Sequence, residues 1–339
     1  MTENNGNPIL VERMRAGYRE RAHSGRFAIV DRSGTVVMAM GNIEEPFLPR
    51  SSCKILQAMP MMESGAGAHL SQQRLALSCA SHQGSAFHAE TAEAWLAEMG
   101  LSEADLECGA QPPSDAETRH ALRDAGRAPC QLHNNCSGKH TAMLRQAVHI
   151  GAPTAGYSGI DHPVQRAIAQ ATAEMAGEDL HGHAIDGCSA PNFAISLTGL
   201  ARAMAKIASA ETSLEGARRD GAIRLRDAMA AHPFEVAGEG RACTDLMRAG
   251  GGDVVVKTGA EGAFTAILPG LGLGIAVKID DGNTEAATVA TTAALVALGA
   301  LDASDPRVSR WLTPKEINRR GTVCGGSEAV AALRSLTIN

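Results

Sequence analysis

Ser51 and Lys54 stand three residues apart in Pro49-Arg50-Ser51-Ser52-Cys53-Lys54-Ile55-Leu56. On a helix such positions share a face, so a serine hydroxyl and a lysine amine can meet without long-range folding. A serine is a poor nucleophile until a neighbouring base takes its proton. Lysine is that base only when unprotonated, which requires burial or a second positive charge nearby. Lys257, in Lys257-Thr258-Gly259, is the candidate for that charge. Alone, the first pair is a weak signal: one Ser-x-x-Lys arises by chance in roughly every few hundred residues. The plainer reading is a helix start with Ser51 capping and Lys54 in water.

The distant Lys-Thr-Gly shifts that balance, because penicillin-binding proteins and serine β-lactamases combine the two signatures, the second on a strand beside the nucleophile helix. Here Val254-Val255-Val256 leads into Lys257 as a β-branched run. A second constellation is the segment from His133 through Asn134, Asn135, Cys136, Ser137, Gly138 and Lys139 to His140, together with Ile185-Asp186-Gly187-Cys188. Both cysteines are expected in loops at helix starts, where the partial positive charge favours thiolate. Thiolates attract zinc, with His140 or His133 as the ordinary third ligand. Two buried cysteines are the rival reading, since neither has a Cys-x-x-Cys spacing.

The hydrophobic pattern shows what must position these groups. Residues 27–30 and 35–40 around Asp31-Arg32-Ser33-Gly34 read as a hairpin, and 264–268 and 274–279 as further strands. Apolar spacing of three and four marks helices over 51–62, 71–77, 88–99, 138–149, 162–175, 192–208, 214–231 and 284–301. Strands at both ends around a helical middle imply an α+β fold: an antiparallel sheet built from both termini and flanked by helices, with a mostly helical subdomain. The expected division is 1–49 with about 250–339 for the sheet part and about 50–249 for the helical part, packed as one catalytic unit.

The segments Ala80-Ser81-His82-Gln83-Gly84, His133 to His140, Ile185 to Cys188, His232-Pro233 with Val236-Ala237-Gly238, Val256-Lys257-Thr258-Gly259-Ala260-Glu261-Gly262 and Lys278-Ile279-Asp280-Asp281-Gly282 closely resemble the Rhizobium etli type of L-asparaginase. The resemblance covers nearly the whole chain and implies a fold similar to serine β-lactamases and glutaminases. It implies Ser51 as nucleophile and Lys54 as base, assisted by Ser81 and Lys257. It also implies zinc held by Cys136, Lys139 and Cys188, a lysine replacing the histidine expected above. Asp186 then lies beside the metal ligands.

These roles imply double displacement on L-asparagine: Ser51 attacks the side-chain amide, ammonia leaves, and water hydrolyses the ester. The substrate's carboxylate and ammonium need an arginine and an acid, for which Arg50 and Asp186 are the candidates, with Arg241 in reserve. Asn135 and His140 are further candidates at the substrate. Zinc is expected to aid binding more than rate, and the resemblance implies a homodimer. Two departures stand out: Ser85 follows the Ser-His-x-Gly turn where an acid is common, and Cys243 precedes Thr244 where an acid is common.

Composition agrees with an ordinary enzyme. Of 339 residues, 44% are apolar and 20% charged, and the net charge of -6 argues against nucleic-acid binding. The first residues lack a signal peptide's pattern, no apolar stretch is long enough for a bilayer, and a cytoplasmic location is expected. The eight cysteines are read as thiols or ligands rather than disulfides. Rival functions are a glutaminase, a β-lactamase-like hydrolase of the same fold, or a non-catalytic zinc-binding protein.

Overall fold

The computed structural model describes residues 6–338. Three strands come first, β1 (Ile9–Arg15), β2 (Tyr18–Val30) and β3 (Val36–Met40), then a 3-10 turn, Arg50–Cys53. Helices follow: α1 (Lys54–Glu63), α2 (Gln72–Ser78), α3 (Ala86–Glu98), α4 (Ala116–Asp124), α5 (Ser137–His149) and α6 (Pro163–Ala176). A short hairpin of β4 (His183–Ile185) and β5 (Pro191–Phe193) precedes α7 (Leu197–Ala208), α8 (Ala210–Ser213), α9 (Gly216–Ala231), α10 (Pro233–Ala237) and α11 (Ala242–Gly250). The chain ends through β6 (Val255–Thr258), β7 (Ala263–Leu268), β8 (Leu273–Ile279), α12 (Thr284–Ala297), α13 (Pro306–Leu312), β9 (Lys315–Ile317), β10 (Val323–Ala329) and α14 (Ala331–Arg334).

The chain divides into two compact units. One holds the residues up to Cys53, Ile195–Ser209 and those from Asp245 onward; the other holds Lys54–Ala194 and Ala210–Thr244. The first is built on an antiparallel sheet in the order β6-β7-β8-β2-β1-β10-β9, with β3 also paired to β2. Both ends of the chain supply it: β1 pairs with β10 from Val11↔Ala329 to Met14↔Gly326. Phe27, Ile29 and Val30 on β2 have no exposed surface, and burying side chains of this size contributes about 1.5–3 kcal/mol each.

β8 is buried on both faces except at Lys278, and both α7 and α12 pack against it. The segment 195–209, expected in the helical part, therefore belongs to the sheet unit. The reason is steric: a Cβ on Gly274 would lie 2.2 Å from both Ala201 O and Ala205 N, so α7 rests on bare β8 backbone. The expected helix over 192–208 is also shorter. Pro191–Phe193 form β5, and α7 starts after Ser196, whose Oγ accepts the Gly199 N–H at 2.8 Å. In α12, Thr288, Thr291 and Thr292 donate to carbonyls four residues back, so an Ala- and Thr-rich helix can be buried without stranded hydroxyls. It ends at Ala297, short of the expected 301, before Gly299 at φ 72°.

The helical unit is centred on α1, buried from Lys54 to Met62, which packs against α5, α6 and α9. A helix enclosed on all sides reads as apolar all round, and Met59, Met61 and Met62 serve as packing. Pro60 sits within its last turn. Among the described residues no helix is long and apolar enough to cross a membrane, and all eight cysteines are free thiols.

One departure from the family pattern has a local explanation. The Ser85 hydroxyl lies 2.6 Å from His88 Nδ1, and His88 Nε2 donates to Phe234 O at 3.1 Å. The ring is stacked between His82 (4.5 Å) and Phe234 (5.0 Å). Burial pushes the His88 pKa down to about 4, against the weaker opposing pull of the Phe234 carbonyl. A neutral serine suits a neutral histidine here.

Two stability outcomes follow. Gly274→Ala should destabilise by about 3 kcal/mol, read as a lowered urea midpoint, because backbone rather than a flexible side chain must move. For His88, the unfolded chain takes a proton below pH about 6.5 while the native state does not until about 4; stability therefore falls as pH drops through that window. Between pH 7 and 5 this costs about 2 kcal/mol, and a His88→Gln variant should lose correspondingly less over the same interval.

Candidate active site

In the sheet unit, the nucleophile candidate lies on the 3-10 turn Arg50–Cys53. Arg50 is half-buried at φ 52°, a left-handed conformation that costs a non-glycine residue about 1 kcal/mol or more. The turn is held from several sides: Ser52 Oγ donates to Pro49 O at 2.6 Å, Cys53 Sγ to Arg50 O at 3.1 Å, and Thr265 Oγ1 to Ser52 O at 3.0 Å. The Ser51 hydroxyl makes no hydrogen bond among the described residues and is half-exposed. β6 brings its lysine motif against this turn. A Cβ on Gly259 would lie 2.8 Å from Pro49 O and 3.0 Å from Ser52 N, so only glycine fits. Lys257 itself is 3% exposed, its Nζ donating to Thr258 O at 2.8 Å.

Lys278, singled out only as part of a motif, has a task in this unit. Its Nζ donates to Glu261 O at 2.7 Å and Ile279 O at 2.6 Å. Burial and the nearby Arg26 hold its pKa below the ordinary lysine value. Glu261 and Gly262 are both left-handed, at φ 57° and 68°. Lys278 thus fastens the tight turn that follows Thr258-Gly259, and the Ile279 N–H donates to Gly262 O at 2.9 Å beside it.

In the helical unit, Lys54 opens α1 with 1% of its surface exposed. Its Nζ donates to Ala80 O and lies 3.1 Å from Cys136 Sγ. This joins the candidate base to the cysteine constellation, a link that residue spacing gave no sign of. Ser81, 7% exposed, is fixed through its N–H to Val236 O at 2.9 Å. His82 Nδ1 accepts the Gly84 N–H at 3.0 Å, so its Nε2–H donates to Ser137 Oγ, also at 3.0 Å.

Cys136 is the N-cap of α5, as expected, and its Sγ lies 3.0 Å from Asn135 Oδ1. Cys188 is not at a helix start. It sits in the tight turn between β4 and β5, where the Asp186 N–H donates to Ala190 O, the Ser189 N–H donates to Asp186 O, and Ser189 takes φ 70°. The expected helix-end charge is therefore missing at Cys188, and buried cations replace it. Lys139, 2% exposed, donates from Nζ to Cys188 Sγ at 3.2 Å. A hydrogen bond from Cys136, then Lys139 and His140, hold the Cys188 thiol far below its ordinary pKa. That same bond and burial push Cys136 up, so one sulfur keeps its proton. Burial opposes the charge on Lys139, but the two cysteines outweigh it and raise its pKa. Half-buried Asp186 adds to the field at Lys139.

His140 has no exposed surface. Tyr157 accepts the Glu107 N–H at 2.9 Å, and its hydroxyl donates to His140 Nδ1 at 2.7 Å. The ring hydrogen is then on Nε2, which has no hydrogen-bond partner although it is buried near the Cys188 sulfur. Tyr157 and Glu107 went unnoticed in the sequence, where an isolated Gly-Tyr-Ser carries no motif. His133 is not gathered to this cluster: its Nδ1 is bonded to Cys130. Arg241 makes no ion pair among the described residues. The second departure is accommodated without an acid, since Cys243 is buried and Thr244 Oγ1 donates to Gly238 O at 2.6 Å.

The donor set suits a soft divalent cation. Among the described residues no three His, Cys, Asp or Glu side chains form a metal-binding group; Lys139 Nζ, 3.2 Å from Cys188 Sγ, is a nitrogen beside the two sulfurs. Its proton can leave once a metal takes up the sulfurs' charge, because burial already disfavours the ammonium.

Comparison with known proteins supplies the family. Native Mglu, crystallised in 4.3 M NaCl, is 14% identical over 77% of this chain with a TM-score of 0.41, and the match spans only 57% of that chain. A putative beta-lactamase from Bacteroides dorei DSM 17855 is 12% identical over 75% of this chain and 84% of its own, with a TM-score of 0.42. No curated protein matches. The family model for L-asparaginase II matches residues 11–329, which takes in every site residue named above, and this chain therefore belongs to the L-asparaginase II family of amidohydrolases.

Proposed function

We propose that this protein hydrolyses the side-chain amide of L-asparagine to L-aspartate and ammonia through a Ser51 ester. The observation that carries this reading is Lys54, buried and bonded to Ala80 O and Cys136 Sγ, three residues after Ser51, in a chain matched to the L-asparaginase II model. Lys54 takes the Ser51 proton as Oγ attacks the amide carbon, and returns it to the departing nitrogen. Water then adds to the ester with Lys54 again as base. Ser81 and Lys257 move protons and stabilise the developing oxyanion. Arg50 binds the substrate's α-carboxylate and Asp186 its α-ammonium, while Asn135 orients the amide. His140 steadies the Cys188 side of the site.

Cys136, Lys139 and Cys188 would hold zinc. The chemistry a bound zinc ion supplies here is a fixed positive charge that orients a polar group of the substrate.

Ammonia release from L-asparagine and L-glutamine tests the reading. Ser51→Ala should lose about three orders of magnitude in kcat, and full activity in that variant would overturn the mechanism. Preference for L-glutamine would instead assign the longer amide. Elemental analysis should find about one zinc per chain, lost in Cys188→Ser and Lys139→Met. Chelation should raise KM while leaving considerable turnover at saturating substrate; a collapse of kcat at constant KM would contradict the orienting role.

A further inference from the structure

Away from these residues, the helical unit contains a cavity of about 860 Å3 lined by α3, α4 and the 3-10 turn Gln131–His133. Its lining includes six carboxylates against one guanidinium, that of Arg127. Glu90, Glu93 and Glu117 are exposed and make no ion pair among the described residues. Phe87, Leu132 and Phe234 supply apolar surface. The field of such a cavity selects cations, and its apolar wall suits an aliphatic stem.

A nucleophile stands in the same cavity. Cys130 is one of two half-exposed thiols, Cys324 being the other, while the remaining six are buried. Its Sγ lies 3.3 Å from His133 Nδ1, which also accepts the Cys130 N–H at 3.1 Å. With Nδ1 accepting, the ring hydrogen is on Nε2. His133 is only 7% exposed, and this N–H has no partner among the described residues. A donor without a protein partner therefore lines the cavity beside a thiol that has an imidazole nitrogen in reach. Structural needs account for Glu103 and Asp115, which accept the Gln131 and Thr118 N–H groups. They do not account for the three unpaired carboxylates.

We propose that this cavity is a modification site in which Cys130 forms a mixed disulfide with small cationic disulfides. The Cys130 sulfur attacks one sulfur of the reagent; a new S–S bond forms as the old one breaks, and the electron pair leaves on the expelled thiolate. The Cys130 proton passes by way of His133 Nδ1 to that thiolate. One disulfide replaces another, so no further oxidant is needed.

The test treats the full chain with cystamine (dicationic), 2-hydroxyethyl disulfide (neutral) and oxidised glutathione (anionic). Each rate is divided by that of the same reagent with a free model thiol, and adducts are located by peptide mass spectrometry. The cystamine adduct should map to Cys130 and vanish in Cys130→Ser. Cystamine should react about 10-fold faster than the neutral reagent at low ionic strength, with glutathione disulfide slowest and the order flattening near 1 M salt. The triple variant Glu90→Gln, Glu93→Gln, Glu117→Gln should lose the preference while keeping the neutral rate. Modification of Cys324 with Cys130 left free, or equal corrected rates for all three reagents, would overturn the proposal.

Discussion

Two lysine side chains buried among cysteine sulfurs and backbone carbonyls set the constraint around which the helical unit is built. Lys54 and Lys139 expose 1% and 2% of their surface. An amine taken out of water at such depth costs several kcal/mol, whatever its charge, unless nearby partners compensate it. The compensation comes from Ala80 O, Cys136 Sγ and Cys188 Sγ, each on a different loop. Every one of those loops must then be rigid. His82 bonds both Gly84 and Ser137, the 186–190 turn closes on its own backbone, and the Tyr157 hydroxyl fixes His140 beside Cys188. A loosened loop would strand a buried amine without its partners, so polar satisfaction and loop geometry are one requirement.

The sheet unit solves a different problem, that of presenting a serine on a strained turn. Arg50 in the left-handed region is tolerated because Ser52, Cys53 and Thr265 bind the turn's carbonyls and Gly259 lets β6 approach it without a side chain between. Lys278 extends this arrangement to the next turn, where Glu261 is also left-handed. The two lysine-bearing motifs of β6 and β8 are thus one structural device, and the strain at each turn is offset by hydrogen bonds to its neighbours.

Much of this was legible in the chain, and what was legible has a common physical character. The hairpin of β2 and β3 and the strands β6 to β8 carry the alternation and β-branching that a half-buried pleat requires. The helices α5 and α6 carry the 3.6-residue period, which is weak in α3 and α9. β1 and β10 were not visible as strands: β10 contains Gly325-Gly326, and a Cβ there would meet Met14 O or Pro314 O. What makes β10 a strand is its pairing with β1, which is information held by another part of the chain. The assignment of 195–209 to the sheet unit likewise depends on bare backbone at Gly274.

The sequence by itself determined the inventory: a Ser51-Lys54 pair three residues apart, a Lys-Thr-Gly motif, a Cys-Ser-Gly-Lys segment opening a helix, a distant Asp-Gly-Cys, and the family that these motifs resemble. Local chemistry is enough for that, because spacing along one helix or turn is fixed by backbone geometry. Only the tertiary structure decided which groups meet. It put Lys54 on Cys136, Lys139 on Cys188 and Tyr157 on His140, and drew His133 away to Cys130. The first three of these contacts join residues 82, 49 and 17 positions apart, which no local pattern reveals, whereas the His133–Cys130 contact is made within one local turn.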